Sequence, residues 1–207
     1  LASSLDGKAY FEQAMSASTR KKLRQHRRRL AEQGALAQAV ITEPDAVGRA
    51  FEDFLALEAA GWKGRQGTAM LSRPAVADFY RQLVRQLAEQ QYLRLYLLRC
   101  ADEVVAFDLT AVTPRGLAGL KIGMAESWKK WTPGMVLQLW VLRAAHAGGW
   151  GEYDFLGSDD PHKAEWTPHF RALCRLQAFA PTWRGRALAL GRERRQRWRS
   201  QPHLQPV

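Results

Sequence analysis

Two cysteines, Cys100 and Cys174, are all that this 207-residue chain contains, and they stand at no metal-ligand spacing. That excludes a disulfide framework and a zinc site, and both residues read as small core hydrophobes in a reduced, cytoplasmic setting. No apolar run approaches the roughly 18–20 residues of a membrane span. The sequence has no GxxxxGK(S/T) loop, no GxGxxG after a strand, no HExxH and no paired CxxC. Its histidines (His26, His146, His162, His169 and His203) fall at no ligand spacing, so no metal is expected. The first residues, Leu1-Ala2-Ser3-Ser4, carry neither an initiator methionine nor a signal-peptide layout, and the chain is expected to be a piece of a longer one.

What is present has the balance of an ordinary globule, 46% hydrophobic and 25% charged, long enough to bury a core. The net charge of +11 is unevenly placed. Residues 19–30 hold seven Lys/Arg and no acid, and residues 184–199 hold seven Arg and one Glu, so the body between them is nearly neutral. Each basic segment is either a solvated face or a landing surface for tRNA or another polyanion.

Hydrophobic spacing orders the rest. A helix is expected from the Ser16–Thr19 cap candidates to Gly34, then a short strand over 36–42. Pro44 opens a helix whose apolar positions Val47, Phe51, Phe54, Leu55 and Leu57 follow helical spacing to Gly61. Residues 61–72 carry three glycines and read as an exposed loop, with Trp62 and Lys63 placed to close over a substrate. A second helix follows Pro74, and strands over 92–99, 103–112 and 117–124 form an antiparallel meander. After Thr132-Pro133-Gly134 a helix runs to Ala147, followed by a strand over 152–156 and a last strand near 174–180.

Three places could carry chemistry. At the Thr132-Pro133-Gly134 start, with Met135 and Val136, the outward N–H groups of the first turn and the helix dipole favour a phosphate-bearing ligand. In the hairpin 103–124, a turn around Thr113–Gly116 sets Asp108 opposite Lys121, with Ala106, Thr110, Gly119 and Gly123 small on the same face. That pair is either a ligand site or a cross-strand ion pair holding the hairpin. In the strand 152–156, Asp154 points away from Tyr153 and Phe155 and reads as a general base or as a loop cap. The loop after it carries Asp159, Asp160, His162 and Lys163, of which Lys163 reads as an oxyanion or phosphate partner. Late tryptophans (Trp128, Trp131, Trp140, Trp150, Trp166) suggest an aromatic-walled cleft, with core packing the alternative.

The segments S-x-S-T-R-K-K-L-R-x-x-R-R-R-L-x-x-x-G (16–34), E-A-A-G-W-K-G (58–64), V-V-A-F (104–107), L-K (120–121), P-G-x-x-L (133–137), G-x-x-E-Y-D-F-L-G (149–157) and H-K-x-x-W (162–166) together resemble the GNAT superfamily of acyltransferases. The closer likeness is to the branch around the CelD/BcsL cellulose-biosynthesis proteins and the FemAB-type peptidyltransferases. The resemblance implies an α/β (α+β) GNAT fold, a mixed and mostly antiparallel splayed sheet flanked by helices. That fold would occupy residues 36–181, between a basic helical segment 1–35 and an Arg-rich segment 182–207. It implies acetyl-CoA or another acyl-CoA as donor, with its pyrophosphate on Thr132, Gly134, Met135 and Val136 beside Lys130. It further implies an amine acceptor, small or a glycan precursor, in cell-surface polysaccharide metabolism. Asp154 or Asp108 would take the amine proton, Lys163 or Lys121 would steady the tetrahedral intermediate, and Trp62, Lys63 and His162 would face the substrate. Aminoacyl-tRNA-dependent transfer of the FemAB kind and a non-catalytic GNAT-like binding module are the other two readings.

Overall fold

The computed structural model describes residues 7–157, 161–167, 169–172 and 178–199. Chain contacts divide it into two compact units, Leu1–Pro168 and His169–Val207. Among its described residues the second contains the helix Trp183–Arg199, within the Arg-rich segment. The expected strand near 174–180 falls largely outside the described residues, and residues 178–180 are not strand.

The first unit begins with α1 (Gly7–Ala14) and α2 (Ala17–Ala31). Ser16 caps α2, its Oγ accepting the Thr19 N–H at 3.0 Å. Leu23 and Leu30 are the buried stripe of this otherwise basic helix. Arg20 turns back, and its guanidinium donates to the carbonyls of Glu12 and Met15, both at 2.8 Å, closing the end of α1. Strand β1 (Leu36–Ile41) leads to α3 (Pro44–Ala60), which proline opens and Gly61 ends. The expected loop beyond Gly61 is instead a single helical turn, α4 (Trp62–Arg65), and a 3-10 turn at Met70–Ser72. Then come α5 (Pro74–Glu89), the meander β2 (Leu93–Cys100), β3 (Glu103–Thr113) and β4 (Gly116–Met124), a 3-10 segment Glu126–Trp131, and α6 (Pro133–Ala147). Strand β5 is only Tyr153–Asp154, and α7 is the turn Pro161–Ala164.

The sheet order is β1-β2-β3-β4-β5. All neighbours are antiparallel except β4 and β5, which are parallel as the intervening helix requires. Strand β2 is buried on both faces, so its alternation splits the core in two. Tyr96, Leu98 and Cys100 pack with Ala106, Leu117 and Tyr153 against α1, α2 and the largely apolar α6. Leu93, Leu95 and Leu97 pack with Phe107 and Leu109 against α3 and α5. Each such leucine or phenylalanine removed from water contributes about 1.5–3 kcal/mol.

The hairpin register corrects one expectation. Near the turn the pairs are Thr113↔Gly116 and Thr110↔Gly119, but Leu120 is then extra and the pairs become Leu109↔Lys121 and Asp108↔Ile122. One bulged residue in β4 therefore puts Asp108 and Lys121 on opposite faces of the sheet. The small residues separate likewise. A Cβ on Gly119 would meet the Tyr153 hydroxyl, and one on Gly123 would meet the Phe54 ring on the other side.

Candidate functional site

Strands β4 and β5 pair over only Leu117↔Tyr153 and Ala118↔Asp154. Leu156 follows in the left-handed region, φ 51°, and Asp154 Oδ1 accepts the Leu156 N–H at 2.8 Å. The strand expected over 152–156 is thus stopped by its own turn. From Gly119 onward the outer edge of β4 has no strand partner among the described residues.

That edge runs into a cavity of about 510 Å³ lined by Ile122, Gly123 and Met124 of β4. Ile122 and Gly123 point to opposite sheet faces, so the cavity lies at the margin of the strand rather than over one side. The start of α6 (Thr132, Gly134, Met135) and the end of α3 with α4 (Glu58, Gly61, Trp62, Lys63) also line it. Glu126 and Lys129 complete the lining.

At the α6 start Pro133 has no N–H and no side chain caps the helix, but the Met135 and Val136 N–H groups expected to face a ligand are taken by the Thr132 carbonyl, at 3.1 and 3.4 Å, which leaves the Gly134 N–H as the first-turn donor without an intrahelical acceptor. Thr132 itself sits in the left-handed region at φ 53°, ψ 48°, a conformation that takes its hydroxyl out of the capping position. Its buried Oγ1 has no hydrogen-bond partner among the described residues. Val136 is buried, and Lys130 lies over the Trp131 ring at 5.4 Å while Lys129 takes the cavity position.

Glu58 is the residue that sequence reasoning passed over as a site. It is 6% exposed, with Oε1 2.6 Å from the Lys63 ammonium and Oε2 accepting the Met70 N–H at 2.8 Å. A second pair, Arg65 to Glu126 at 2.7 Å, ties α4 to the segment before α6 and holds the Glu126 carboxyl below its usual range. Trp62 lines the mouth and is 47% exposed.

The other expected residues go elsewhere. Asp108 is 1% exposed and accepts from Thr110 Oγ1 at 3.0 Å and from the Tyr153 hydroxyl at 3.2 Å, with no cation beside it. Burial pushes its carboxyl up to about 6, against the two hydrogen bonds that favour the charged form. Burial, then the neighbouring Asp108, raises the Tyr153 phenol well above its usual range. Lys121 lies over the Tyr80 ring at 5.2 Å. Lys163 donates to the Leu156 carbonyl at 2.7 Å, so it and Asp154 both brace the loop 154–157 rather than line the cavity. Asp159, Asp160 and the His162 side chain lie outside the described residues. The late tryptophans follow the core-packing alternative: Trp166 is fully buried, and Trp128, Trp131, Trp140 and Trp150 pack against the cluster that includes α6, none of them lining this cavity. Among the described residues no acid, histidine or cysteine cluster could hold a metal, and no helix is long and apolar enough to cross a membrane.

Residues 17–164 match the model of the acetyltransferase (GNAT) domain family. No curated protein sequence matches the chain. Among solved structures, an aminoglycoside antibiotic 6'-N-acetyltransferase from Acinetobacter baumannii is 15% identical, TM-score 0.48, over 70% of this chain and 98% of that one. The ribosomal-protein-alanine N-acetyltransferase from Brucella melitensis is 15% identical, TM-score 0.42, over 72% of this chain and 99% of that one. The C-terminal domain of an Agrobacterium fabrum protein assigned as a lysylphosphatidylglycerol synthetase is 16% identical, TM-score 0.46, over 67% of this chain and only 40% of that one.

Proposed function

Because the chain belongs to the GNAT acetyltransferase domain family and has its mixed, helix-flanked five-strand sheet, we propose that it transfers an acyl group from an acyl-CoA thioester to an amine. The family implies the acyl-CoA donor. One observation supports this use of the site: β5 parts from β4 after two residue pairs, and the released β4 edge leads into a cavity lined by the start of α6. A pantetheine arm carries amide groups that can pair with such an edge as an added strand would. The diphosphate then reaches the α6 start, where Gly134 lets backbone approach, the helix dipole favours negative charge, and Thr132 Oγ1 and Lys129 supply further donors.

The acceptor belongs to the proposal: a primary amine of a small molecule or glycan precursor, in line with the CelD/BcsL likeness of the sequence. The exposed cations of α2 (Lys21, Lys22, Arg24, Arg27, Arg28 and Arg29) suit an anionic carrier of either substrate. Thermal denaturation with acetyl-CoA, longer acyl-CoAs and bulk tRNA tests the reading. Coenzyme A thioesters at a hundredfold excess over Kd should stabilise the protein by about 2.7 kcal/mol. Stabilisation by tRNA alone would replace the donor with aminoacyl-tRNA. Binding of coenzyme A without any thiol release over an amine panel would leave a binding module.

A further inference from the structure

The structure assigns a proton relay to Glu58 and Lys63, on α3 and α4, in the lining of the cavity that also holds the proposed phosphate seat; this assignment rests on the acyl-CoA reading above. Sequence builds the relay in three steps. Glu58 occupies the position three residues beyond Leu55 and four beyond Phe54, on the apolar stripe of α3, and so is carried inward where a leucine would be expected. Gly61 then breaks the helix, and α4 doubles back so closely that a Cβ on Gly64 would overlap the Ala59 carbonyl oxygen at 1.7 Å. That fold returns Lys63 to Glu58 with 2.6 Å between charged atoms, and Arg65–Glu126 fixes α4 from outside.

A buried ion pair is a poor device for stability alone, since an apolar pair of the same size commonly does as well. Here both partners line the one cavity that also takes in the free β4 edge and the α6 start. Lys63 keeps 29% of its side chain exposed while the Glu58 side chain keeps 3%, so the cation is the partner able to move. Neither Asp108, Asp154 nor Lys163 lines this cavity.

The chemistry balances within the pair. The acceptor nitrogen attacks the thioester carbonyl, forming the C–N bond, and the carbonyl oxygen takes the electron pair beside the Lys63 ammonium. The proton released from nitrogen passes to the Glu58 carboxylate. Collapse restores the carbonyl, breaks the C–S bond, and the departing thiolate takes a proton from Lys63, which Glu58 reprotonates across the 2.6 Å contact. The products are amide and coenzyme A thiol, and both side chains regain their starting charge.

Bromoacetyl-CoA tests the placement without knowledge of the acceptor. Its reactive carbon stands next to the thioester carbonyl, and displacement of bromide should alkylate Lys63 or Glu58, located by peptide mass spectrometry. Labelling of other residues by a protein that binds coenzyme A overturns the relay and leaves the acyl-CoA reading intact. A protein that binds no coenzyme A overturns both. The Glu58→Gln variant keeps an oxygen for the Met70 N–H and so keeps the fold, which unchanged coenzyme A binding by calorimetry would verify. With acetyl-CoA as donor and glucosamine or water as nucleophile, it should release thiol about 100-fold more slowly, in kcat rather than KM. Glu58→Asp, which keeps a carboxylate, should recover part of the lost kcat. A Glu58→Gln variant that binds coenzyme A and keeps the wild-type kcat makes the pair a latch between α3 and α4 and ends the proposal.

Discussion

Among the described residues two carboxylates are buried, one on each side of the sheet, and they are supported in opposite ways. Asp108, on the α6 side, meets among the described residues the neutral donors Thr110 and Tyr153, and the Tyr153 hydroxyl lies near Gln138 of α6. Glu58, on the α3 side, is in direct contact with the Lys63 ammonium at 2.6 Å, in the lining of a cavity. Burial alone therefore does not distinguish a site. A carboxyl without a counter-charge is driven toward its neutral form, whereas the Glu58 carboxylate has a cation in contact beside an opening. The hairpin pair expected from sequence does not form: its acid meets Thr110 and Tyr153, and its lysine lies over an aromatic ring on the other face.

The comparison breaks if the α3 side is loosely packed in general rather than open only at the margin of β4. Phe54 is fully buried and stacks near Phe107, ring centroids 5.6 Å apart, with its edge over Gly123. Phe54→Ala should cost about 3–5 kcal/mol in urea unfolding. Gly123→Ala alone should cost about 1–3 kcal/mol, because its Cβ would stand 2.4 Å from the ring. In the Phe54→Ala background that second cost should vanish, since the obstructing ring is gone. A Phe54→Ala cost under about 1 kcal/mol would mean that the cavity extends through the core.

On the α6 side the contrast predicts a pH effect of known sign. The Asp108 carboxyl ionises near 3.8 when unfolded and near about 6 when folded. The stability it contributes is complete below about pH 4 and is lost as pH rises through about 6. The loss amounts to about 3 kcal/mol at 1.36 kcal/mol per pH unit. Asp108→Asn keeps an acceptor for the Tyr153 hydroxyl but has nothing to titrate. The gap in unfolding free energy between the variant and the wild type should therefore shift by about that amount between pH 4 and pH 7. Parallel stability curves for the two proteins would mean that Asp108 is solvated, and the division between the two acids would fail.

Much of the frame was legible because prolines and glycines punctuate it: Pro44, Pro74 and Pro133 open α3, α5 and α6, and Gly61 and Gly148 follow two of their ends. The meander was legible from alternation and short links. Helix α1, by contrast, is short and has no cap or period strong enough to announce it. The site was half legible. Its α6 start follows from local chemistry at Thr132-Pro133-Gly134, but the Glu58–Lys63 contact needs α4, a single turn too short to show a period. One signal was available, an acid on the apolar stripe of α3. The register of the hairpin was misread for a similar reason. A glycine inside a strand marks a bulge as readily as it marks room for a ligand, and Gly119 stands next to the extra Leu120.

The finest discriminator of the two faces is a predicted absence of coupling. With Asp108 and Lys121 opposite each other on one face, a double-mutant cycle of Asp108→Asn and Lys121→Met would show about 1 kcal/mol of interaction or more, since the acid is buried. With the bulge at Leu120 the sheet itself stands between them, and Lys121 should lose only its contact with Tyr80, about 0.5–1 kcal/mol, whatever occupies position 108. The two effects on unfolding free energy should then add to within about 0.5 kcal/mol. A larger coupling energy would return both groups to a single face, restore the hairpin as a candidate site, and take from Glu58 its distinction as the buried acid with a cationic partner.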